Sequence, residues 1–338
     1  MFCKPHIRHG RYFNARHESV LGRMCELVKT TLVLTRHLLT KPEKHCKKAA
    51  HAQWHEPVIL QERSQHRITW LGHATFLIQI ENLNILTDPV FNEISMVTPR
   101  YVDPVVPIEA LPPIDLVIIS HNHRDHMDER SLLGLKDRVK QWLVPAGDKA
   151  WFAARGFEGV QEMYWWEKAA VQGVEFTFLP AYHWSGRHPL DINQSLWGSW
   201  MIQGAATAIY FAGDTAYSQH FAAIARVFPL IDIVLMPIGP NDPHTMRETH
   251  VSAEEAVRGF IDLGGKHFVP MHWGTFRLGA DTFTTPLERL AMAWQKHQDL
   301  LSGARLSVLK HGQHLEARDV VDELALLPLA SRVTVSEL

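Results

Sequence analysis

The chain has 338 residues, 46% of them hydrophobic and 21% charged, with 20 Gly and 19 Pro. This composition excludes a mostly disordered chain, and a chain this long can bury about 75% of its unfolded surface without disulfides. Residues 1–50 carry 11 Lys or Arg against three Glu, a net charge of +8, so the remainder carries −10 within the total of −2. An acidic body excludes a nucleic-acid track, which needs a continuous basic surface.

Phe2 to Gly10 contains no apolar run, so no signal peptide is expected. Val28 to Leu39, the most apolar early stretch, is broken by Lys29, Arg36 and His37 and is far short of the ~20 residues that span a bilayer. Cys3, Cys25 and Cys46 form no C-x-x-C, which points to a reducing, cytoplasmic setting. Leu21, Met24, Leu27, Val28, Leu34 and Leu38 recur at helical spacing, and a basic run of Lys41, Lys44, Lys47 and Lys48 follows. The segment reads as an amphipathic helix docked on the main body; the alternative role is contact with an anionic membrane surface.

From Arg67 the pattern becomes β: Ile68–Trp70, Thr75–Ile80 and Ile85–Thr87 are strands, with a turn over Glu81–Asn84. After a proline-rich loop, Asp115–Ile119 reads as a buried strand running into Ser120. Glu175–Leu179 is a strand, and Ser195–Gln203 pairs with Thr207–Phe211 as a hairpin around Gly204–Ala206. Ile231–Met236 is a further buried strand. Ser252 and Glu255 form a capping box for a helix to Leu263, closed by Gly264 and Gly265. His267–Met271 is a strand delivering the chain to His272. Thr285, Pro286 and Glu288 predict a second capping box, with proline at the first helical position. Strands first and mixed strands and helices later predict sheets covered by helices.

Histidine is the compositional outlier, at 22 residues. Directly after the strand ending at Ile119 the chain reads Ser120-His121-Asn122-His123-Arg124-Asp125-His126. Three imidazoles and a carboxylate in six residues supply more ligands than one divalent ion needs from a single loop. His183, Asp214 and His272 each follow a strand end as well.

These residues resemble the H-x-H-x-D-H signature of the metallo-β-lactamase superfamily. The resemblance implies an α/β fold, a four-layer αβ/βα sandwich with two mixed β-sheets, and two Zn²⁺ per chain. It implies His121, His123 and His183 on one zinc, Asp125, His126 and His272 on the other, and Asp214 shared. Trp70-Leu71-Gly72-His73-Ala74-Thr75, Leu196-Trp197-Gly198-Ser199-Trp200 and His272-Trp273-Gly274-Thr275-Phe276 are similar to the N-acyl-phosphatidylethanolamine-hydrolysing phospholipase D branch. Gly10-Arg11-Tyr12-Phe13-Asn14 is similar to that branch's N-terminus.

The implied activity is zinc-dependent hydrolysis of a phosphodiester, of phospholipase D type, on N-acyl-phosphatidylethanolamine. The alternative is a lactonase or phospho-sugar hydrolase of the ascorbate-phosphate lactonase-like branch. Two Zn²⁺ against Asp125, Asp214 and one hydroxide leave about +1 at the site, which suits an anionic ester. His123 stands where redox di-iron relatives carry a carboxylate, which argues against that chemistry. Asp125 and His250 are candidates for the catalytic step. Asp88 is expected to hold a ligand histidine through its second ring nitrogen. His73 is expected near the metals without ligating them, with a purely structural role as the alternative. Trp184, Arg187, Trp197, Asn241 and His244 are expected at the mouth of the site. The domain expectation is a basic arm with an amphipathic helix over 1–60, a hydrolase domain over 61–320 and a tail over 321–338. The expected partners are a phospholipid or other phosphodiester and a peripheral membrane contact, with no nucleic acid and oligomerisation left open.

Overall fold

The computed structural model describes residues 4–14, 44–64, 66–95, 98–240, 248–279 and 281–316, with isolated positions between 22 and 35. Asn241, His244, the tail 321–338 and most of the helix expected between Val20 and Leu39 lie outside the described residues.

In chain order, β1 (His6–Arg8) and β2 (Arg11–Phe13) form a small hairpin, followed by helix α1 (Lys44–Trp54). Then come β3 (His66–Gly72), β4 (Thr75–Ile80), β5 (Leu83–Thr87) and β6 (Ile114–Ile118). Helix α2 (Glu129–Leu135) leads to β7 (Val139–Pro145), α3 (Lys149–Ala153) and β8 (Val160–Met163). The second half runs β9 (Lys168–Val171), β10 (Val174–Leu179), β11 (Ser199–Gln203), β12 (Ala208–Phe211) and α4 (His220–Val227). It continues through β13 (Ile231–Pro237), α5 (Ala253–Leu263), β14 (Gly265–Met271), α6 (Thr285–Lys296), β15 (Arg305–Leu306) and β16 (His314–Glu316).

The strands form two seven-stranded sheets of matching design. The first has the order β16-β3-β4-β5-β6-β7-β8 and the second β15-β14-β13-β12-β11-β10-β9. In each, the pairs at one end are antiparallel, and the three at the other, β5-β6-β7-β8 or β12-β13-β14-β15, are parallel. Parallel strands need cover on both faces, and β5, β6 and β13 are nearly all buried, whereas the edge strands β8 and β15 are mostly half-buried. Phe76, Ile78 and Ile80 of β4 join Phe176, Phe178, Trp200 and Tyr210 in one core, whereas Leu77 joins Trp142, Leu132 and Phe152 on the other face. That alternation follows from the two-residue period of a strand. Burying side chains of this size stabilises by about 1.5–3 kcal/mol each. The result is the expected αβ/βα sandwich.

The local expectations hold with three corrections. The turn between β4 and β5 is tighter than Glu81–Asn84: Ile80 pairs with Leu83, and Glu81 and Asn82 both have positive φ. The strand expected from Ser195 begins at Ser199, because the Gly198 amide turns aside to donate to the Ser120 carbonyl at 2.9 Å. At α6 no capping box forms. Thr285 is already helical, its hydroxyl lies 2.6 Å from that of Thr282, and Pro286 is its second residue. The capping box at Ser252 and Glu255 and the left-handed Gly264 are present on α5.

Two described pieces of the N-terminal 60 residues, the β1–β2 hairpin and the end of α1, lie against the same body. Tyr12 enters the main core, and Trp54 packs edge-on against Trp273 with ring centroids 4.9 Å apart. No described helix is long and apolar enough to cross a membrane.

Candidate metal centre

Every candidate ligand sits just beyond the carboxyl end of a strand. His121, His123, Asp125 and His126 follow β6, His183 follows β10, Asp214 follows β12 and His272 follows β14. Carboxyl ends of parallel strands in open sheets are where loops gather functional groups. Two features bring these loops close. Trp200 donates its indole N–H to the Ile119 carbonyl at 2.9 Å, tying β11 to the end of β6. Gly213 has φ +57, and a Cβ there would meet the Ser120 Cβ at 2.6 Å, so only glycine lets the Asp214 loop approach.

Within the cluster, three imidazole nitrogens converge. His121 Nε2 lies 2.8 Å from His123 Nδ1, which lies 3.2 Å from His183 Nε2. Nitrogens bound to one tetrahedral zinc would stand roughly 3.3 Å apart. Asp214 lies between the groups: Oδ2 is 3.9 Å from His121 Nε2, 3.8 Å from His183 Nε2 and 3.1 Å from His126 Nε2, and Oδ1 is 3.1 Å from His272 Nε2. Asp125 Oδ2 lies 3.7 Å from His126 Nε2 and 3.6 Å from His272 Nε2. His126 Nε2, His272 Nε2 and Asp214 Oδ1 are buried without a hydrogen bond, although oppositely charged partners are near. Buried polar atoms are rarely left so unless an ion or water takes them. Two groups of four therefore offer convergent donors, His121-His123-His183-Asp214 and His73-Asp125-His126-His272. This donor set of imidazole and carboxylate fits divalent zinc.

In His121, His126, His183 and His272 the opposite ring nitrogens are held, whereas His123 turns Nδ1 to the cluster and its Nε2 has no hydrogen bond. His183 Nδ1 donates to the Thr249 carbonyl at 2.8 Å, His272 Nδ1 to the Gly239 carbonyl at 2.9 Å and His126 Nδ1 to Asp88 Oδ2 at 2.7 Å. Ser120 Oγ lies 2.9 Å from His121 Nδ1 and donates to Asp88 at 2.5 Å. These bonds fix each tautomer, so that Nε2 presents its lone pair to the cluster. Asp88 is where the sequence expected it, fully buried at the back of His126. Burial pushes its pKa above the usual carboxylate range, with His126 and Ser120 opposing.

Charge divides the cluster. Burial, reinforced by neighbouring imidazoles, holds His121 and His183 well below the usual histidine pKa, and burial brings His123 to about 3. Burial acts against charge at His126 and His272 too. There Asp214 and Asp125 overcome it, raising His126 well above its ordinary value and His272 to about 9. Asp125 and Asp214 are held well below the carboxylate range: burial opposes ionisation, but His126 and its neighbours outweigh it. The first group is thus neutral imidazole at neutral pH, the form a metal takes, and the second must release protons to bind one.

The other expected residues divide. His250 Nε2 lies 3.1 Å from Asp214 Oδ2, at the cluster, while Ser252 and not His250 caps α5. Trp184 is half-buried, with its ring edge-on to His123 at 4.1 Å between centroids, and borders the site. Trp197 does not: it is fully buried between the sheets, donating to the Ala181 carbonyl at 3.1 Å. Arg187 stands behind the histidine loop rather than at its mouth, donating to the carbonyls of Asn122 at 3.1 Å and Met127 at 2.6 Å. An aromatic crevice of Tyr101, Trp273, Phe276 and Phe283 opens beside His272.

Three contacts lie beyond the sequence reading. His73 Nε2 lies 3.1 Å from Asp125 Oδ2, which puts it next to the cluster, as expected, and adds a specific partner. Asn122, inside the motif itself, donates to Asp148 at 3.0 Å and accepts from the Gly186 amide at 2.7 Å. Asp148 is remote in sequence and carries no local signal. A subtler signal is left-handed backbone: His73, Asp88 and His272 have φ of +55, +33 and +58. Non-glycine residues seldom adopt it, and strain of this kind gathers at functional sites.

This sandwich with donors at its strand edge is the architecture of a metal-dependent hydrolase. The family model for the beta-lactamase superfamily domain matches residues 83–273, and the chain belongs to the metallo-β-lactamase superfamily. It is 33% identical to an uncharacterised protein of Mycobacterium tuberculosis, over 86% of this chain and 79% of that one. It is 31% identical to the N-acyl-phosphatidylethanolamine-hydrolyzing phospholipase D 1 of Caenorhabditis elegans, over 74% of this chain and 76% of the worm protein. Among solved structures, the metallo hydrolase Igni18 of Ignicoccus hospitalis superposes with a TM-score of 0.57 at 21% identity. That match covers 75% of this chain and 98% of Igni18 and reports on the fold.

Proposed function

We propose that the protein is a binuclear zinc phosphodiesterase of phospholipase D type acting on N-acylated phosphatidylethanolamine. His121, His123 and His183 would hold one zinc and Asp125, His126 and His272 the other, with Asp214 shared. The observation that carries the reading is Asp214, whose two oxygens reach imidazoles of both groups. Bound zinc would polarise a phosphoryl oxygen and bring the pKa of a water toward ~7. His250, beside Asp214 and only partly buried, would hold or pass a proton at Nε2 as the head-group alkoxide leaves. Similarity to the worm phospholipase over three quarters of both chains supports the lipid phosphodiester as substrate. The net +8 of residues 1–50 supports contact with anionic lipid, which added salt would weaken.

The test is product analysis after incubation with N-acyl-phosphatidylethanolamine, beside a panel of lactones and sugar phosphates, with zinc counted on the same sample. Phosphatidic acid and an N-acylethanolamine in equal amounts, with up to two zinc ions per chain, are expected. Lactone opening that far outpaces phosphodiester cleavage would move the protein to the lactonase reading.

A further inference from the structure

The N-terminal hairpin has no place in the chemistry described so far, yet its residues reach the metal centre. His9 and Gly10, both at positive φ, form a two-residue turn that pairs Arg8 with Arg11 and lays β2 across the loop between His183 and Asn193. The grip is at both ends of that loop. At the far end, the Tyr12 amide donates to the Asn193 carbonyl at 2.8 Å, and the Arg11 guanidinium donates to the carbonyls of Ile192 and, at 3.0 Å, Leu190. At the near end, Asn14 Nδ2 donates to the main-chain carbonyl of His183 itself at 2.7 Å. Asn14, one residue past β2, is 4% exposed and Tyr12 9%; two residues apart, both are turned inward.

We infer that Asn14 is a positioning residue of the metal centre: its amide fixes the main chain of His183, and the N-terminal hairpin is the strap that holds the His183 loop in register. The inference rests on the metal reading above. Beside the hold of Thr215 and Ala216 on Tyr182, two bonds of its own then fix His183. Thr249 sets the rotation of its ring through Nδ1, and Asn14 sets where its Cα stands. A site on a loop needs such support, because a ligand must stay within about 0.5 Å of its place. The residue type follows from the task. The buried carbonyl needs a donor, a carboxylate would repel it, and an aliphatic side chain would leave it unpaired. This explains why Gly10-Arg11-Tyr12-Phe13-Asn14, more than 100 residues before the histidine motif, belongs to the same machinery.

The test is titration of metal-free protein with Co²⁺, following visible absorption, for wild type, Asn14→Ala, His183→Ala and Ile7→Ala. His183→Ala identifies the uptake step that uses His183. Asn14→Ala is expected to weaken that step about tenfold and shift its absorption band, leaving the other step as in wild type. Ile7, exposed on the same hairpin, serves as the control and should change neither step. If Asn14→Ala does not fold, Asn14→Ser, too short to reach the carbonyl, carries the same expectation. Wild-type affinity and absorption in both steps of the Asn14 variant would overturn the inference alone. So would equal weakening of both steps together with a lowered melting temperature before metal is added. A wild-type protein that takes up no Co²⁺ would overturn the metal reading and this inference with it.

Discussion

Asp214 and His250 touch each other at 3.1 Å, yet their loss should have different consequences. Asp214→Asn keeps the shape but removes the negative charge between the imidazole groups, so both metal content and turnover should fall. His250→Ala removes a ring whose hydrogen bond to the cluster is to Asp214 Oδ2, and which also borders His183 and His272; turnover should drop about 10²–10⁴-fold with zinc content unchanged. Metal analysis and initial rates on the same preparations decide it, and full activity of the His250 variant would confine that residue to structure. The seven candidate ligands were legible because each stands at a recognisable strand end within a dense histidine pattern. Trp197 misled for a physical reason. A tryptophan between two glycine- and serine-flanked strands reads equally as rim or core, and only the sheet packing decides that its indole points at Ala181. Asn241 and His244 fall outside the described residues.

Elements with a strong signal were visible in the sequence: β4, β6 and β13 are apolar runs with a single acid or amide inside, and α5 has a full capping box. The missed ones are short or mixed in polarity. β8 (VQEM) and β9 (KAAV) are edge-side strands that alternate weakly, and α3 is five residues long. The turn between β7 and α3 nevertheless braces the histidine loop through Asp148 and Asn122. Burial raises the Asp148 carboxyl from 3.8 to about 7. The folded state therefore binds this proton more tightly than the unfolded state. The resulting stabilisation is fully present below pH 3.8 and is lost as pH rises through 7. Asp148→Asn cannot ionise and keeps an oxygen for Asn122. In chelator-treated protein it should exceed wild type in stability above pH 7, by on the order of 4 kcal/mol at most, with the gap closing toward pH 4. Urea midpoints at pH 8 and pH 5 measure it; a gap of the same size at both would remove the buried carboxylate from the account.

At the scale of the molecule, the candidate ligands are divided between the two sheets. The loop after β6 supplies four from the first sheet, and the loops after β10, β12 and β14 supply His183, Asp214 and His272 from the second. Ions held there would clamp the sandwich along its open edge, where, among the described residues, no strand pairs one sheet with the other. They would also neutralise the carboxylates and displace the protons that His126 and His272 hold in their absence. Folding and metal uptake are then linked. An ion present at a thousand times its dissociation constant stabilises by about 4 kcal/mol, which corresponds to roughly 6 °C in melting temperature for a chain of this length. Chelation should lower the melting temperature by that order while the transition stays single, because both sheets share one core. Re-addition of zinc should restore it, more completely at pH 8 than at pH 6, since protons on His272 and His126 compete with metal more strongly as pH falls. Calorimetry with and without chelator reads both effects. A melting temperature indifferent to chelation at either pH would mean that the ions do not bridge the sheets, whatever their part in turnover.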